Sequence, residues 1–393
     1  MSQSSRPGAS QKPMDRQLPS EEAADLLALT SELVAREVLP DAADGEAEGR
    51  FPRETMRLLG RSGLLALPYP EQYGGGDQPY EVYLQVLEEL AAGRLTVGLG
   101  VSVHTLACHA LATFGSERQR QDWLPDLLGG ELLGAYCLSE PQSGSDAAAL
   151  TTRAELDAEA GTYTVTGTKA WITHGGIADF YSTVVRTGGP GAGGISVLLV
   201  PGDTPGVGAD APERKMGMKG SPTAQVRFEG ARVAAERLVG VEGQGFSIAL
   251  SALDTGPLGL AACAIGVARA ALDHAVEYAR SRTQFGRPIA EFQGLSFMLA
   301  DMATAVEAGR ALYLSAARRR DAGLAFAKEA AMAKLFCTDA AMRVTTDAVQ
   351  VLGGYGYTAD HPVERYMREA KVLQIVEGTN QIQRMVIGRK LTG

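Results

Sequence analysis

Close to the C-terminal end of the chain, Lys371-Val-Leu-Gln-Ile-Val-Glu-Gly-Thr-Asn-Gln-Ile-Gln-Arg384 sets one carboxylate, Glu377, on a short connection marked by Gly378. A helical pattern follows at once. Ile382, Met385, Val386 and Leu391 recur at helical spacing, and Arg389 and Lys390 fall in the last turn. Thr379 is a natural N-cap, because its hydroxyl can accept a hydrogen bond from a free first-turn N–H. The plain reading of Glu377 is a surface glutamate favoured by the helix dipole, a gain of about 0.3–1 kcal/mol. The chemical reading is a general base whose substrate carbonyl meets outward backbone N–H groups. Position alone favours the plain one.

Four other stretches carry groups suited to holding a ligand. In Ala135-Tyr-Cys-Leu-Ser-Glu-Pro-Gln-Ser-Gly-Ser-Asp146, Ser139, Ser143 and Ser145 with Gly144 offer hydroxyls and free amides on a turn. In Lys169-Ala-Trp-Ile-Thr-His-Gly175, Trp171 and Thr173 are two apart on a predicted strand and face one side. An indole beside a hydroxyl can flank a flat heteroaromatic ring, while His174 faces away and gets no chemical role. Arg282, in Arg280-Ser-Arg-Thr-Gln-Phe-Gly286, could pair with a pyrophosphate. Gln350-Val-Leu-Gly-Gly-Tyr-Gly-Tyr357 has the glycines of a phosphate loop but follows a helix rather than a strand. Each has a plainer explanation: a hydrophilic loop, a core Trp with a cross-strand Thr, a helix C-terminal arginine and a Schellman-type helix stop.

The elements that must position these groups fall into three blocks, an α+β arrangement. Residues 1–18 lack an apolar core and read as a disordered tail. Residues 19–133 are helical in pattern, with Ser20 capping the first helix and further helices expected from Pro52 to Ser62, Pro79 to Ala92, His104 to Phe114 and Ser116 to Leu124, which Pro125 follows. Residues 134–240 hold short runs rich in Val, Thr and Tyr between Gly/Pro turns, which predicts a small β-barrel or sandwich domain. Residues 241–393 return to long helices, over Leu258–Arg282, Gln293–Ala322 and Ala325–Val351, and predict a bundle.

The 393 residues are 45% apolar and 21% charged, as in a soluble globular protein. The net charge of −9 and the lack of any Lys/Arg cluster argue against nucleic acid. No segment reaches the eighteen or so unbroken apolar residues of a membrane helix. Cys108, Cys137, Cys263 and Cys337 lack CxxC spacing and read as buried thiols of a reducing compartment, so a soluble cytoplasmic protein without a metal site is expected.

Taken jointly and in this order, the five stretches resemble the acyl-CoA dehydrogenase family over about residues 20–393. Tyr136–Asp146 resembles the first family signature and Gln374–Arg384 the second. Ser221-Pro-Thr223, Phe285-Gly286, Phe297-Met-Leu-Ala-Asp-Met302 and Pro362-Val-Glu364 are also similar to family positions. The resemblance implies FAD bound non-covalently between the β-domain and the C-terminal helices. By motif, Tyr136, Leu138, Ser139 and Ser145 would line flavin and thioester, and Trp171 and Thr173 would flank the isoalloxazine. Arg282, Phe285, Gln293, Gln350, Gly353 and Gly354 would hold the adenine-diphosphate half of a neighbouring subunit's FAD, which implies a homotetramer. Thr379 and Gln381 would also touch FAD, and Ser145, Asp254, Pro257 and Gly378 would face the substrate.

The implied reaction oxidises an acyl thioester to the 2-enoyl thioester, with the α-proton taken by Glu377, the β-hydrogen leaving as hydride to flavin N5, and an electron-transfer flavoprotein or similar carrier as acceptor. The chain is most similar to short- and branched-chain members. It departs from the family at Pro257, where an arginine is common, at His174, where asparagine is common, and at Val376, where an aromatic is common. Pro257 reads as a first-turn residue of the following helix. These departures keep three alternatives open: a desaturase of a carrier-protein-bound acyl thioester, at this or another carbon pair; a flavin oxidase or monooxygenase on the same fold; and a non-catalytic flavin-binding relative.

Overall fold

The computed structural model describes residues 16–393, so residues 1–15 of the expected tail lie outside the described residues. The end of that tail is not free. The buried Arg16 guanidinium donates to Glu88 at 3.1 Å and to Glu89 at 2.7 Å.

Among the described residues six α-helices make the first block: α1 (Glu21–Leu33), α2 (Ala42–Glu48), α3 (Arg53–Arg61), α4 (Tyr80–Gly93), α5 (Leu95–Phe114) and α6 (Glu117–Leu128). Local chemistry sets several ends. Ser20 accepts from Ala23 N at the start of α1, and Ser116 with Gln119 forms a full capping box on α6. Pro125 lies inside α6 rather than ending it, and α5 begins at Leu95 rather than His104.

The second block is, among the described residues, one sheet of eight strands: β1 (Gly134–Cys137), β2 (Arg153–Asp157), β3 (Thr162–Thr173), β4 (Phe180–Arg186), β5 (Ile195–Pro201), β6 (Val207–Ala209), β7 (Thr223–Ala234) and β8 (Leu238–Val239). The path runs β6-β7-β3-β2-β4-β5-β8, with β1 added in parallel on β4. The long β3–β7 pair shifts register between Lys169 and Ile172, and this bulge re-aims the residues that follow.

The third block is the helix α7 (Gly245–Ser281), a small hairpin of β9 (Thr283–Gln284) and β10 (Arg287–Pro288), then α8 (Gln293–Asp321), α9 (Ala327–Leu352), α10 (Val363–Leu373) and α11 (Asn380–Thr392). Here the sequence reading of Pro257 is corrected. Far from opening a helix, Pro257 lies in the interior of α7, which starts at Gly245. A proline there costs ~3 kcal/mol and strips the carbonyl of Leu253 of its N–H partner. The helix persists because residues 256–271 are buried continuously, and apolar burial at about 25 cal/mol per Å² exceeds that cost. Helices α5 and α7 are long and apolar enough to cross a membrane, yet 89% and 78% of their most apolar windows are buried inside the protein.

Small residues let α7 approach its neighbours closely. A Cβ on Gly266 would come 2.3 Å from Glu88 O, and one on Gly259 would come 2.4 Å from Ser102 Oγ. At that crossing the buried Glu88 carboxylate accepts from Arg310 at 2.7 and 3.1 Å and from Arg16, with Arg269 also beside it and Tyr313 donating its hydroxyl. Burial alone would push Glu88 up, but Arg16, Arg310 and Arg269 hold it down at about 2. Its folded pKa lies below the ordinary 4.5, so its stabilisation is present above pH 4.5 and is lost as pH falls toward 2. Replacing Glu88 by Gln is expected to cost about 3–5 kcal/mol, because the buried arginines around it lose one shared counter-charge and are left with Glu89 and Glu307. A chemical-denaturation midpoint unchanged at pH 7 would contradict this.

Candidate active site

The turn after α10 places Glu377 by backbone means. Glu377 has φ +51° and Gly378 φ +87°, both left-handed, so the chain doubles back before Thr379 caps α11 by accepting from Ile382 N at 3.3 Å. The Thr379 cap is as the sequence predicted. Lys334 Nζ and Gln383 Nε2 both donate to Gly378 O, at 2.9 and 3.2 Å. The turn points the Glu377 side chain inward rather than to solvent. Its Oε2 is buried with no hydrogen-bond partner, and the Glu377 N–H makes no hydrogen bond within the described residues. The carboxyl rests on α7 at Gly256, where a Cβ would stand 2.2 Å from Oε2. Burial pushes Glu377 up to about 7, against the opposing pull of Lys334.

A cavity of about 30 Å³ lies beside this point, between Tyr80 and Tyr83 of α4, Ser102 and Leu106 of α5, and Thr255 and Gly256 of α7. Its tyrosines are partly fixed: Tyr80 donates to Thr255 O at 3.3 Å, and Tyr69 donates to Thr105 O. Pro257 is buried directly after Gly256, and Asp254 is exposed on the same helix. Tyr136, on β1, also senses the Glu377 charge, and its hydroxyl is buried without a partner.

A buried ion pair that sequence reasoning missed holds the loop after β1. Lys169 Nζ lies 2.9 Å from Glu140 and donates to Leu138 O at 3.0 Å, while Glu140 accepts from the amides of Thr151 and Thr152. The loop is thereby pinned to β3, with Leu138 buried, Ser139 half-buried and Ser145 exposed. Ser143 plays a structural part, donating to Asp146 O at 2.6 Å. At the bulge Trp171 has φ +62° and is 65% exposed, Thr173 is half-buried, and His174 is buried with its Nδ1 2.9 Å from Gly134 O. An exposed indole on a strained backbone, with two buried unpartnered polar atoms at Tyr136 and Glu377, fits a flat and polar aromatic group such as a flavin.

The remaining predicted residues form a second, outward group. Arg282 closes α7 and lies with its guanidinium 5.6 Å from the Tyr355 ring, which brings it to the Gly353–Gly354 loop. Phe285, at φ +52°, is 94% exposed, and Gln293, Gln350, Gly353 and Gly354 are exposed as well. None of them bonds to or stacks on the Glu377 turn among the described residues. Gln381 is exposed on α11. Lys334, Gly256, Tyr80 and Tyr83 were not singled out from sequence. Lys334 had a readable signal, a lone cation in the apolar run Ala330-Ala-Met-Ala-Lys-Leu-Phe-Cys337.

Comparison with known proteins bears on these groups. Residues 20–131, 135–231 and 243–392 match the N-terminal, middle and C-terminal domains of acyl-CoA dehydrogenase, respectively. An acyl-CoA dehydrogenase of Bacillus subtilis is 45% identical over 367 residues, 93% of this chain and 96% of that one. The solved butyryl-CoA dehydrogenase of Megasphaera elsdenii superimposes with a TM-score of 0.93 at 40% identity, covering 97% of this chain and 100% of the other. The prolyl acyl carrier protein oxidase AnaB is similar at 28% identity and TM-score 0.91, covering 95% and 100%.

The contact between α7 and Glu377 can be tested directly. Gly256→Ala forces a methyl against Oε2 and is expected to destabilise the fold by about 1–3 kcal/mol. Adding Glu377→Ala should recover most of that loss, since the clash then has no second partner. Additive effects in the double-mutant cycle, measured by denaturant unfolding, would show that the two do not touch.

Proposed function

The chain belongs to the acyl-CoA dehydrogenase family, whose members are flavoproteins, and on that premise we propose that it is an FAD-dependent dehydrogenase of short acyl thioesters with Glu377 as its base. The observation that carries this reading is the Glu377 carboxyl itself: its Oε2 buried and unpartnered, the group raised to about 7 and set beside a small cavity.

The physical requirement is clear. A Cα–H beside a thioester carbonyl is far too weak an acid for a carboxylate in water. Burial makes Glu377 a stronger base, and the unbonded Glu377 N–H can donate to the thioester oxygen and stabilise the enolate as it forms. When bound, FAD supplies the acceptor that takes the β-hydrogen as hydride, leaving the trans-2-enoyl thioester. Tyr136, Leu138, Ser139, Trp171, Thr173, Thr379 and Gln381 would hold the flavin half. Asp254, Pro257, Gly378 and Ser145 would face the acyl thioester. The likeness to a butyryl-CoA dehydrogenase favours a short chain. The outward group of Arg282, Phe285, Gln293, Gln350, Gly353 and Gly354 would grip the far half of a neighbouring subunit's FAD. That arrangement requires at least a dimer and suits a homotetramer. Reoxidation would fall to an electron-transfer flavoprotein.

A second reading is favoured by one specific observation, the likeness to a carrier-protein oxidase, and by Pro257 in place of the more common arginine. In that reading the thioester is carried on a protein, or oxygen takes the electrons.

Glu377→Gln is expected to keep yellow FAD and to lose bleaching by thioester under anaerobic conditions. Bleaching at the parent's rate would overturn the base. In the parent, kcat/KM should rise as pH climbs through about 7, because the folded carboxyl must ionise before it can accept a proton. Anaerobic titration with acyl thioesters of graded length, on CoA and on carrier protein, decides the substrate. Fastest bleaching by four-carbon CoA thioesters is expected, and preference for the carrier form or peroxide release on turnover selects the second reading.

A further inference from the structure

The Glu377 turn rests on a lysine that the chemistry above does not use. Lys334 of α9 is fully buried, with Nζ 2.9 Å from Gly378 O and 2.8 Å from Asn380 Oδ1. Asn380 donates to Thr338 Oγ1 at 2.9 Å and to Asp339 at 2.7 Å, and Gln374, on the other side of the turn, donates to the same Asp339 at 2.6 Å. One ammonium and one carboxylate of α9 thus hold both ends of the segment that carries the base. Among the described residues no carboxylate bonds to Lys334, and a buried ammonium held by neutral acceptors is costly where a methionine would pack freely.

The groups facing Glu377 come from four elements. Tyr80 and Tyr83 of α4, Tyr136 of β1 and Cys263 of α7 all sense its charge, and burial pushes each of them up, so each stays neutral near pH 7. From α9 comes Lys334, with Asp339 beyond it.

We propose that Lys334 is a positioning residue for the reaction: its ammonium clamps the Gly378 carbonyl, which fixes the left-handed turn at Glu377, and it supplies the positive charge that lets Glu377 ionise inside an apolar pocket. The inference rests on the reading of Glu377 as base. Burial brings Lys334 down to about 8, against Glu377 and Asp339, so its ammonium is still present where Glu377 ionises. Loss of the ammonium removes the pull that opposes burial, and the base then ionises only at higher pH.

The test uses FAD-loaded enzyme with Lys334→Met, Lys334→Gln and Lys334→Arg. The readouts are the acid limb of the kcat/KM profile and the pH titration of the long-wavelength band formed with a non-oxidisable thioester bearing an acidic α-carbon. Met and Gln are expected to move both readouts up by about one pH unit or more, with Arg staying near the parent. Gln keeps a donor for Gly378 O, so a shift in that variant isolates the charge and decides the matter if the Met variant does not fold. Acid limbs that superimpose on the parent's overturn the proposal. If Glu377→Gln still bleaches, the base reading itself fails. If it is dead while Lys334→Gln keeps the parent's profile, only the role of Lys334 falls.

Discussion

A carboxyl oxygen kept from water without a hydrogen-bond partner is costly, and it persists only where its surroundings are too rigid to let it escape. Glu377 is in that position. The left-handed pair Glu377–Gly378, the floor at Gly256 and the anchors from Lys334 and Gln383 give it nowhere else to go. Desolvation does most of the tuning, raising the group to about 7, and the single opposing cation limits how far it rises. Much of the molecule serves this one constraint: α7 as floor, α4 and α5 as walls, α9 as the beam to which the turn is tied.

The ionic interior is organised to the same end. Glu88 gathers arginines from α7, α8 and the N-terminal segment at the crossing of α4 and α7, where glycine allows near-contact of backbones. Glu140 and Lys169 do the equivalent for the sheet, fastening the loop after β1 to the strand that carries Trp171 and Thr173. Such pairs contribute little net energy over an apolar core, but removing one partner is severe, so they fix geometry rather than add to stability. The Glu88 cluster ties the first helical block to the third, and the Glu140–Lys169 pair ties one loop to one strand inside the sheet.

Much of this was readable from the residues. The change from helical periodicity to short Val/Thr/Tyr runs and back marked the three blocks, and the Thr379 cap followed from hydroxyl chemistry alone. Glu377 and its burial were read from the motif's resemblance and not from local pattern: a glutamate before a helix cap looks like a surface residue until the left-handed turn is seen. Pro257 was misread because local rules put proline at a first turn, whereas tertiary burial carries α7 through it. Gly256, Tyr80 and Tyr83 gave no signal, since their role is to fill or vacate space near a residue more than a hundred positions away. Lys334 did give one, as a cation set in an apolar stripe, and was passed over.

The length of α7 joins regions that would otherwise be independent. From Gly256 at the carboxyl to Arg282 at the outward group, the helix runs for about 39 Å at 1.5 Å per residue. Its middle is jammed against α4 at Gly266, so it cannot tilt freely at one end. It acts as a lever with a fixed fulcrum. A substitution near that fulcrum is felt at both ends, so the inner pocket and the outward group around Arg282 are mechanically one unit.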